Sequence, residues 1–337
     1  MFILIGLLSR FLLFMGNNKK IYYGFDLLKF IMALLIVATH SQLFIEYERA
    51  YHVAIIIYSL AVPTFFAIST YLYAKKLYIS SSTADAWQIC KQDILRLFIL
   101  GCFWFVIDLP MTWDTFFNIA NWKEVLTSFA LLDPIRGLWF IKALIINKFI
   151  LFLFRKHLNI LTIVSLLIFV FFSLGYSPLL NGISHPLHPY FSFYFHTFFC
   201  CIGALYANNK LVYRIRVTRL LLLFIAAFIW HLYNYDYAVI AWRIICPFFF
   251  MSLFMHFEPA KYVQPIYIFM RKVSILFYFL HFNFLWIYSS ILHLEKMIFF
   301  DQSIIRFLCV IFCCFLTSLL ILILEKRRYF IFLKYSH

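Results

Sequence analysis

An all-α bundle of about ten membrane-crossing helices is the fold this sequence predicts, and three observations predict it. The composition is 65% hydrophobic with a mean hydropathy of +0.91, far from that of a soluble domain. Apolar runs of about 20 residues recur along the chain, the length that carries a helix across the roughly 30 Å of bilayer hydrocarbon. The Lys and Arg residues between those runs gather on alternate connections, as they do in a chain that weaves through a membrane.

The predicted spans are 24–45, 53–74, 94–109, 137–154, 159–176, 190–207, 219–233, 238–256, 274–293 and 303–324. The first reads GFDLLKFIMALLIVATHSQLF and is apolar except at a few positions. The second is followed at once by the basic pair Lys75 and Lys76. Arg96 opens the third, Lys142 and Lys148 lie in the fourth, and Arg243 and Arg306 lie in the eighth and tenth. The longest connection, 110–136, contains ANWKEVLTSFALL, which reads as an amphipathic surface helix covering a site or as a plain aromatic anchor. The connection YSPLLNGISHPLHPYF holds three prolines with His185 and His188, so it is turn-rich, again a cover or a simple connector.

No internal repeat and no low-complexity linker divides the chain. Residues 21–325 therefore form one membrane domain, between an N-terminal segment, 1–20, and a basic tail, 326–337. The segment MFILIGLLSRFLLFM is apolar but short, carries Arg10 at its middle, and lacks a basic leader and a small-residue cleavage site. Those features argue against a cleaved signal peptide, and for an interfacial helix rather than an eleventh span. Met15, just ahead of GNNKK, is the alternative start.

A net charge of +15 suits nucleic acid, but its distribution does not. With the segment before residue 24 in the cytoplasm, most Lys and Arg fall on the cytoplasmic side, among them Lys75, Lys76, Arg155, Lys156, Arg271, Lys272 and Arg327. The opposite side keeps Arg49, Lys123, Arg136 and Lys296 among a larger number of acids. The basic balance thus reports topology, with both termini cytoplasmic and the lipid bilayer, not nucleic acid, as partner. The eight cysteines mostly lie in apolar runs without ligand spacing, which makes them small core residues rather than disulfides or metal ligands.

Function is written most plainly in the first span, where Lys29 and His40 are eleven residues apart. At 100° per residue that is three turns plus roughly 20°, so both side chains share one stripe about 16 Å apart along the axis. A cation and an imidazole on one stripe of a lipid-buried helix are costly unless they face protein or a watery path. The intramembrane cations outnumber the carboxylates at comparable depth, which suits an anionic ligand such as a phosphate. The bland alternatives stay open: Lys29 pairs with Asp26 one turn before it, and Arg96 and Lys148 snorkel to headgroups. His40 is by itself as well read as a core histidine, like His196, His231, His256 and His281. No GxSxG elbow, no Ser-His-Asp order and no HExxH is present.

Three segments in succession, GFDLLKFIMALLIVATHSQLF, YSLAVPTFFAISTYLYAKKL and GLWFIKALII, resemble the signatures of the membrane-bound acyltransferase-3 family. RKVSILFYFLHFNF, near the carboxyl end, resembles its Ser–aromatic–Leu–His stretch, so the resemblance covers about residues 21–325. It implies a bundle of ten or so membrane helices that moves an acyl group, usually acetyl from acetyl-CoA, onto a hydroxyl. The implied acceptors are sugars of bacterial surface polysaccharide, lipopolysaccharide or peptidoglycan, and the implied location is the bacterial cytoplasmic membrane. The family's basic residue, ten intervening positions and His map onto Lys29 and His40. Lys in place of the usual Arg keeps the charge but loses the planar fork. Thr70 follows Ser69 where the family commonly has Gly, which bears on the packing around Ser69 and Tyr71.

The resemblance makes His40 the expected catalytic residue, as general base or acyl carrier, with Lys29 orienting the donor or offsetting the developing negative charge. Lys75, Lys76 and Arg96 are the expected donor-binding residues. Ser69, Tyr71, Trp139, Phe140 and His281 are the expected acceptor wall or motif residues. The expected co-substrate is acetyl-CoA with no metal, and the expected partners are acyl-CoA and a glycan or glycolipid. Many relatives add a soluble esterase-like domain; without one, the membrane unit finishes transfer alone or hands the acyl group to a partner. The alternatives are a transporter or flippase for an anionic glycolipid or metabolite, and an inactive relative serving as a sensor. Oligomeric state and the acceptor hydroxyl are not legible.

Overall fold

The computed structural model describes residues 21–117, 138–173, 193–208, 217–233, 235–294 and 302–325. Among them the chain is helical, with no strand. In chain order the helices are α1 (Tyr23–His40), α2 (Glu48–Tyr58), α3 (Ala61–Ile79), α4 (Thr83–Phe117), α5 (Leu138–Leu153) and α6 (Leu158–Ser173). Then come α7 (Phe193–Ala207), α8 (Val217–Tyr233), α9 (Tyr235–Phe254), α10 (Gln264–Trp286) and α11 (Ser303–Glu325). Tyr23–His40, Glu48–Ile79, Lys261–Ile291 and Ser303–Glu325 are long and apolar enough to cross a membrane. Leu158–Ser173, Phe193–Ala207, Leu221–Trp230 and Ala241–Phe254 are apolar but shorter. The N-terminal segment 1–20, the tail from 326, most of the 110–136 connection and the loop with His185 and His188 lie outside the described residues.

Every predicted span falls on a helix, but several boundaries differ. The second span is broken at Ser59–Leu60 into α2 and α3. The third span starts early, at Thr83, because Ser82 caps it: the Asp85 N–H donates to Ser82 Oγ at 3.0 Å, and Ser82 Oγ donates to the Asp85 carboxylate at 2.8 Å. The same helix also runs through Pro110 to Phe117, where a loop was expected from residue 110. Gln264 and Pro265 start α10 about ten residues ahead of the predicted span, with Pro in the first turn, where its missing N–H costs nothing.

Ion pairs fix which helix ends lie together. Asp26 near the start of α1 grips Arg271 near the start of α10, at 2.7 Å to Nε and 2.6 Å to Nη2. Asp93 in α4 binds both Lys76, late in α3, and Lys148, late in α5, at 2.8 Å each. Lys272 of α10 meets Glu325, the last residue of α11, at 2.9 Å. These residues define a cation end of the bundle; the C-terminus of α1 and the N-terminus of α11 define the opposite, His40 end.

Close backbone approach sets the centre of the bundle. A Cβ on Gly203 of α7 would stand 2.1 Å from Ala67 O and 2.5 Å from Thr70 Oγ1 of α3. Only glycine lets these two helices meet so tightly. Thr70 fits on α3 because the residue facing it on α7 is Gly203. Its hydroxyl turns back onto Phe66 O at 2.7 Å and leaves no polar group unmet. All eight cysteines are free thiols.

Candidate active site

Helix α1 ends at His40 through a specific turn. Leu43 N–H reaches Ala38 O at 3.1 Å and Gln42 N–H reaches Thr39 O at 3.1 Å, the two closing bonds of a helix that finishes in a left-handed residue. Gln42 takes φ 52° and Phe44 φ 70°. Side-chain-bearing residues adopt that region at a cost of about 1 kcal/mol or more each. Contacts from α11 hold the turn. Arg306 Nε donates to Ser41 O at 2.9 Å, Phe44 N–H donates to Ser303 Oγ at 2.9 Å, and Ser303 donates through both N and Oγ to the Glu46 carboxylate. Partial burial pushes the Glu46 carboxyl up, but the two Ser303 bonds, aided by the nearby Arg306 charge, outweigh it and hold the group below the usual carboxylate range.

The break between α2 and α3 shapes what His40 faces. Pro63 has no N–H to offer the Ser59 carbonyl four residues back, and the helix kinks there. Leu60 N–H turns to Ile57 O at 3.2 Å, so Ile56 O accepts instead from Trp242 Nε1 at 2.9 Å and Ser59 Oγ at 2.7 Å. The kink opens a cavity of about 300 Å³, walled by His40, Tyr51, Tyr58, Trp139, Arg243 and Tyr278. No carboxylate is among its described lining residues. Around it the His40 ring lies 4.5 Å from the Phe282 ring and 5.2 Å from the His281 ring, centroid to centroid. A wet imidazole, hydroxyl-bearing rings and a guanidinium in one apolar-walled pocket suit proton abstraction from a hydroxyl and stabilisation of a developing negative charge.

At the cation end Lys29 is half-buried, and Asp26, Arg271, Lys148 and Arg96 all lie within electrostatic reach of it. The alternative Lys29–Asp26 pair is not made, because the Asp26 carboxylate is occupied in bidentate fashion by Arg271, 245 positions away in sequence. Lys148 does not snorkel: it is buried, paired with Asp93, with its ammonium 5.2 Å above the Tyr73 ring. The carboxylates Asp26 and Asp93 thus face five cations, Lys29, Lys76, Arg96, Lys148 and Arg271, which leaves this end positive among the described residues.

The residues singled out from sequence fall into three places. His40 and Trp139 line the cavity, while Phe140 stands behind it, 5.3 Å from the Tyr278 ring and 4.6 Å from Phe66. His281 is buried against His40. Lys29, Lys76 and Arg96 gather at the cation end. Lys75 is half-buried, with no contact that ties it to that cluster. Tyr71 is not on the cavity wall; it packs edge-on to Tyr22 at 5.4 Å and to Phe25 at 5.1 Å. Ser69 is half-buried on α3 and outside the lining too.

Tyr51, Tyr58 and Tyr278 are cavity residues that sequence reading passed over, and Arg243 was seen only as an intramembrane cation. A signal existed for the first two. Tyr51, Ile55, Tyr58, Ser59 and Val62 recur at helical spacing just ahead of Pro63, on a single stripe that the kink turns toward α1.

Residues 22–323 match a family model described as an acyltransferase domain. No curated protein and no solved structure matches.

Proposed function

The chain belongs to the acyltransferase-3 family, and from that membership we propose that it moves an acetyl or other short acyl group from acyl-CoA to a sugar hydroxyl of a cell-surface polysaccharide or glycolipid. It is a membrane acyltransferase; the donor, the acceptor and a place in the bacterial cytoplasmic membrane with both termini inside are our reading. The observation that carries it is His40 on the wall of the 300 Å³ cavity, on the same helix as Lys29 at the cation end.

The donor's phosphates meet the positive end, where Arg96 and Lys76 lie at the surface and Lys29 lies deeper, with Lys75 next to Lys76 in sequence. The acyl-bearing arm then spans the roughly 16 Å of helix between Lys29 and His40. Acceptor oxygen attacks the thioester carbonyl while His40 takes the hydroxyl proton; the C–O bond forms, the C–S bond breaks, and the proton passes to the leaving thiolate. In the covalent variant His40 itself first takes the acyl group and then yields it to the acceptor. Arg243 faces the charge that develops on the carbonyl oxygen. Trp139, Tyr51, Tyr58 and Tyr278 supply the flat and hydroxyl-bearing surfaces that hold a sugar.

Mass spectrometry of surface glycans from cells with and without the gene tests this. An acetyl-sized mass difference, lost on deletion and restored by the gene, is expected. Identical glycans, together with donor-independent solute movement by the protein in vesicles, would replace the enzyme by a carrier.

A further inference from the structure

His281 has a hydrogen-bonding problem that its neighbours explain. It lies on α10, fully buried, with Nδ1 at 3.0 Å from Phe277 O, one turn back. A carbonyl oxygen only accepts, so Nδ1 carries the hydrogen, and the lone pair sits on Nε2. That Nε2 is buried with no hydrogen-bond partner among the described residues. A buried acceptor left unmet is uncommon and calls for a reason. The reason stands beside it: the His40 ring is 5.2 Å away at a tilt of 31°, and Phe282 packs on both rings, at 4.5 Å from His40 and 4.1 Å from His281.

We propose that His281 is the positioning residue for His40: its Nε2 lone pair accepts the N–H of the His40 imidazole once that ring turns toward it, a contact that the 5.2 Å ring separation allows, and so favours the tautomer whose other nitrogen faces the cavity. This rests on the reading of His40 as the base. The arrangement supplies what a catalytic imidazole needs, one nitrogen held and the other turned to the cavity. A neutral imidazole does here the holding that a carboxylate does in many such sites. Among the described residues, the other titratable or charged groups at this end are Tyr51 and Tyr58 on α2, Arg243 on α9 and Tyr278 on α10 in the cavity lining, with Arg306 of α11 on Ser41 O and Asp108 of α4 on Asn283. The guanidinium only donates and the tyrosine hydroxyls either donate or accept, whereas His281 Nε2, with its hydrogen on Nδ1, only accepts. The Ser–aromatic–Leu–His stretch that ends in His281 then has a chemical task, beyond filling volume between α1 and α10.

The test uses membranes of the producing cell, which carry the natural acceptor, supplied with radiolabelled acetyl-CoA. His281→Leu removes the acceptor and His281→Gln returns an oxygen near the place of Nε2. The leucine variant is expected to lose about 100-fold in transfer rate, with an unchanged KM for acetyl-CoA. The acid limb of its pH–rate profile moves to lower pH, because a lost acceptor no longer favours protonated His40. The glutamine variant recovers most of the rate. Equal loss in both variants with an unmoved limb, or a wild-type rate in His281→Leu, would overturn the proposal. His281→Phe, which refills the space without an acceptor, replaces the leucine variant if that one fails to reach the membrane. His40→Ala runs beside them: retained activity there removes the base reading itself, while its loss with an unaffected His281→Leu removes only the positioning role.

Discussion

The two ends of the bundle are held together by different chemistry. At the cation end the helices are joined by charge: Asp93 between Lys76 and Lys148, Asp26 on Arg271, and Lys272 on Glu325. At the His40 end the joints are mostly backbone carbonyls and neutral groups. Arg306 binds Ser41 O, Trp242 binds Ile56 O, and the carboxylates of Glu46 and Asp108 accept from Ser303 and Asn283. The first arrangement leaves surplus positive charge for an anionic group. The second places an imidazole and a guanidinium on one cavity wall, among tyrosine hydroxyls and aromatic rings. Binding and chemistry are thus separated along α1, with Lys29 and His40 at the two stations.

That contrast can be broken from either end. Asp93→Ala strips the partner from buried Lys148 and has the largest expected effect, a loss of about 3–5 kcal/mol. It should appear as a strongly lowered thermal midpoint in detergent, and an unchanged midpoint would show that the cation end does not depend on its ion pairs. Trp242→Phe acts at the other end, removing the donor to Ile56 O at a cost of about 1 kcal/mol. Since the kink shapes the cavity wall, this variant should lose far more transfer activity than stability. Activity falling only in step with thermal stability would detach the kink from the site.

The smallest effect concerns pH. The Glu46 carboxyl is held below its ordinary value in the folded protein. Its stabilisation is therefore complete above about pH 4.5, the range of an unfolded glutamate, and is lost as the pH falls through the lowered folded value. Unfolding followed from pH 7 down to pH 3 should show that loss in the wild type and a flatter profile in Glu46→Gln. Parallel profiles would mean that the Glu46–Ser303 clamp does not hold the His40 turn.

Much of this was legible because apolar run length and helical spacing are local properties. They located the helices, and they put Lys29 and His40 on one stripe. The capping signal SSTAD at the start of α4 was equally local and went unread, which is why that helix begins earlier than expected. Pro63 was visible too, but a proline in an apolar span either kinks it or is absorbed. Trp242, 186 residues from the carbonyl it binds, marks where the break falls. Asp26 choosing Arg271 over Lys29, and Gly203 making room for Thr70, are decided between distant segments, so no local pattern announces them. His281 looked like an ordinary core histidine for the same reason: the ring that gives it a task is on another helix.

The most direct measurement is acyl transfer by His40→Ala. Membranes carrying the variant at wild-type abundance are given radiolabelled acetyl-CoA, and label in the saccharide fraction is counted. The two-station account predicts that label falls to the level of membranes without the protein. Substantial label from the variant would contradict it, and would leave the His40 cavity without its chemical role.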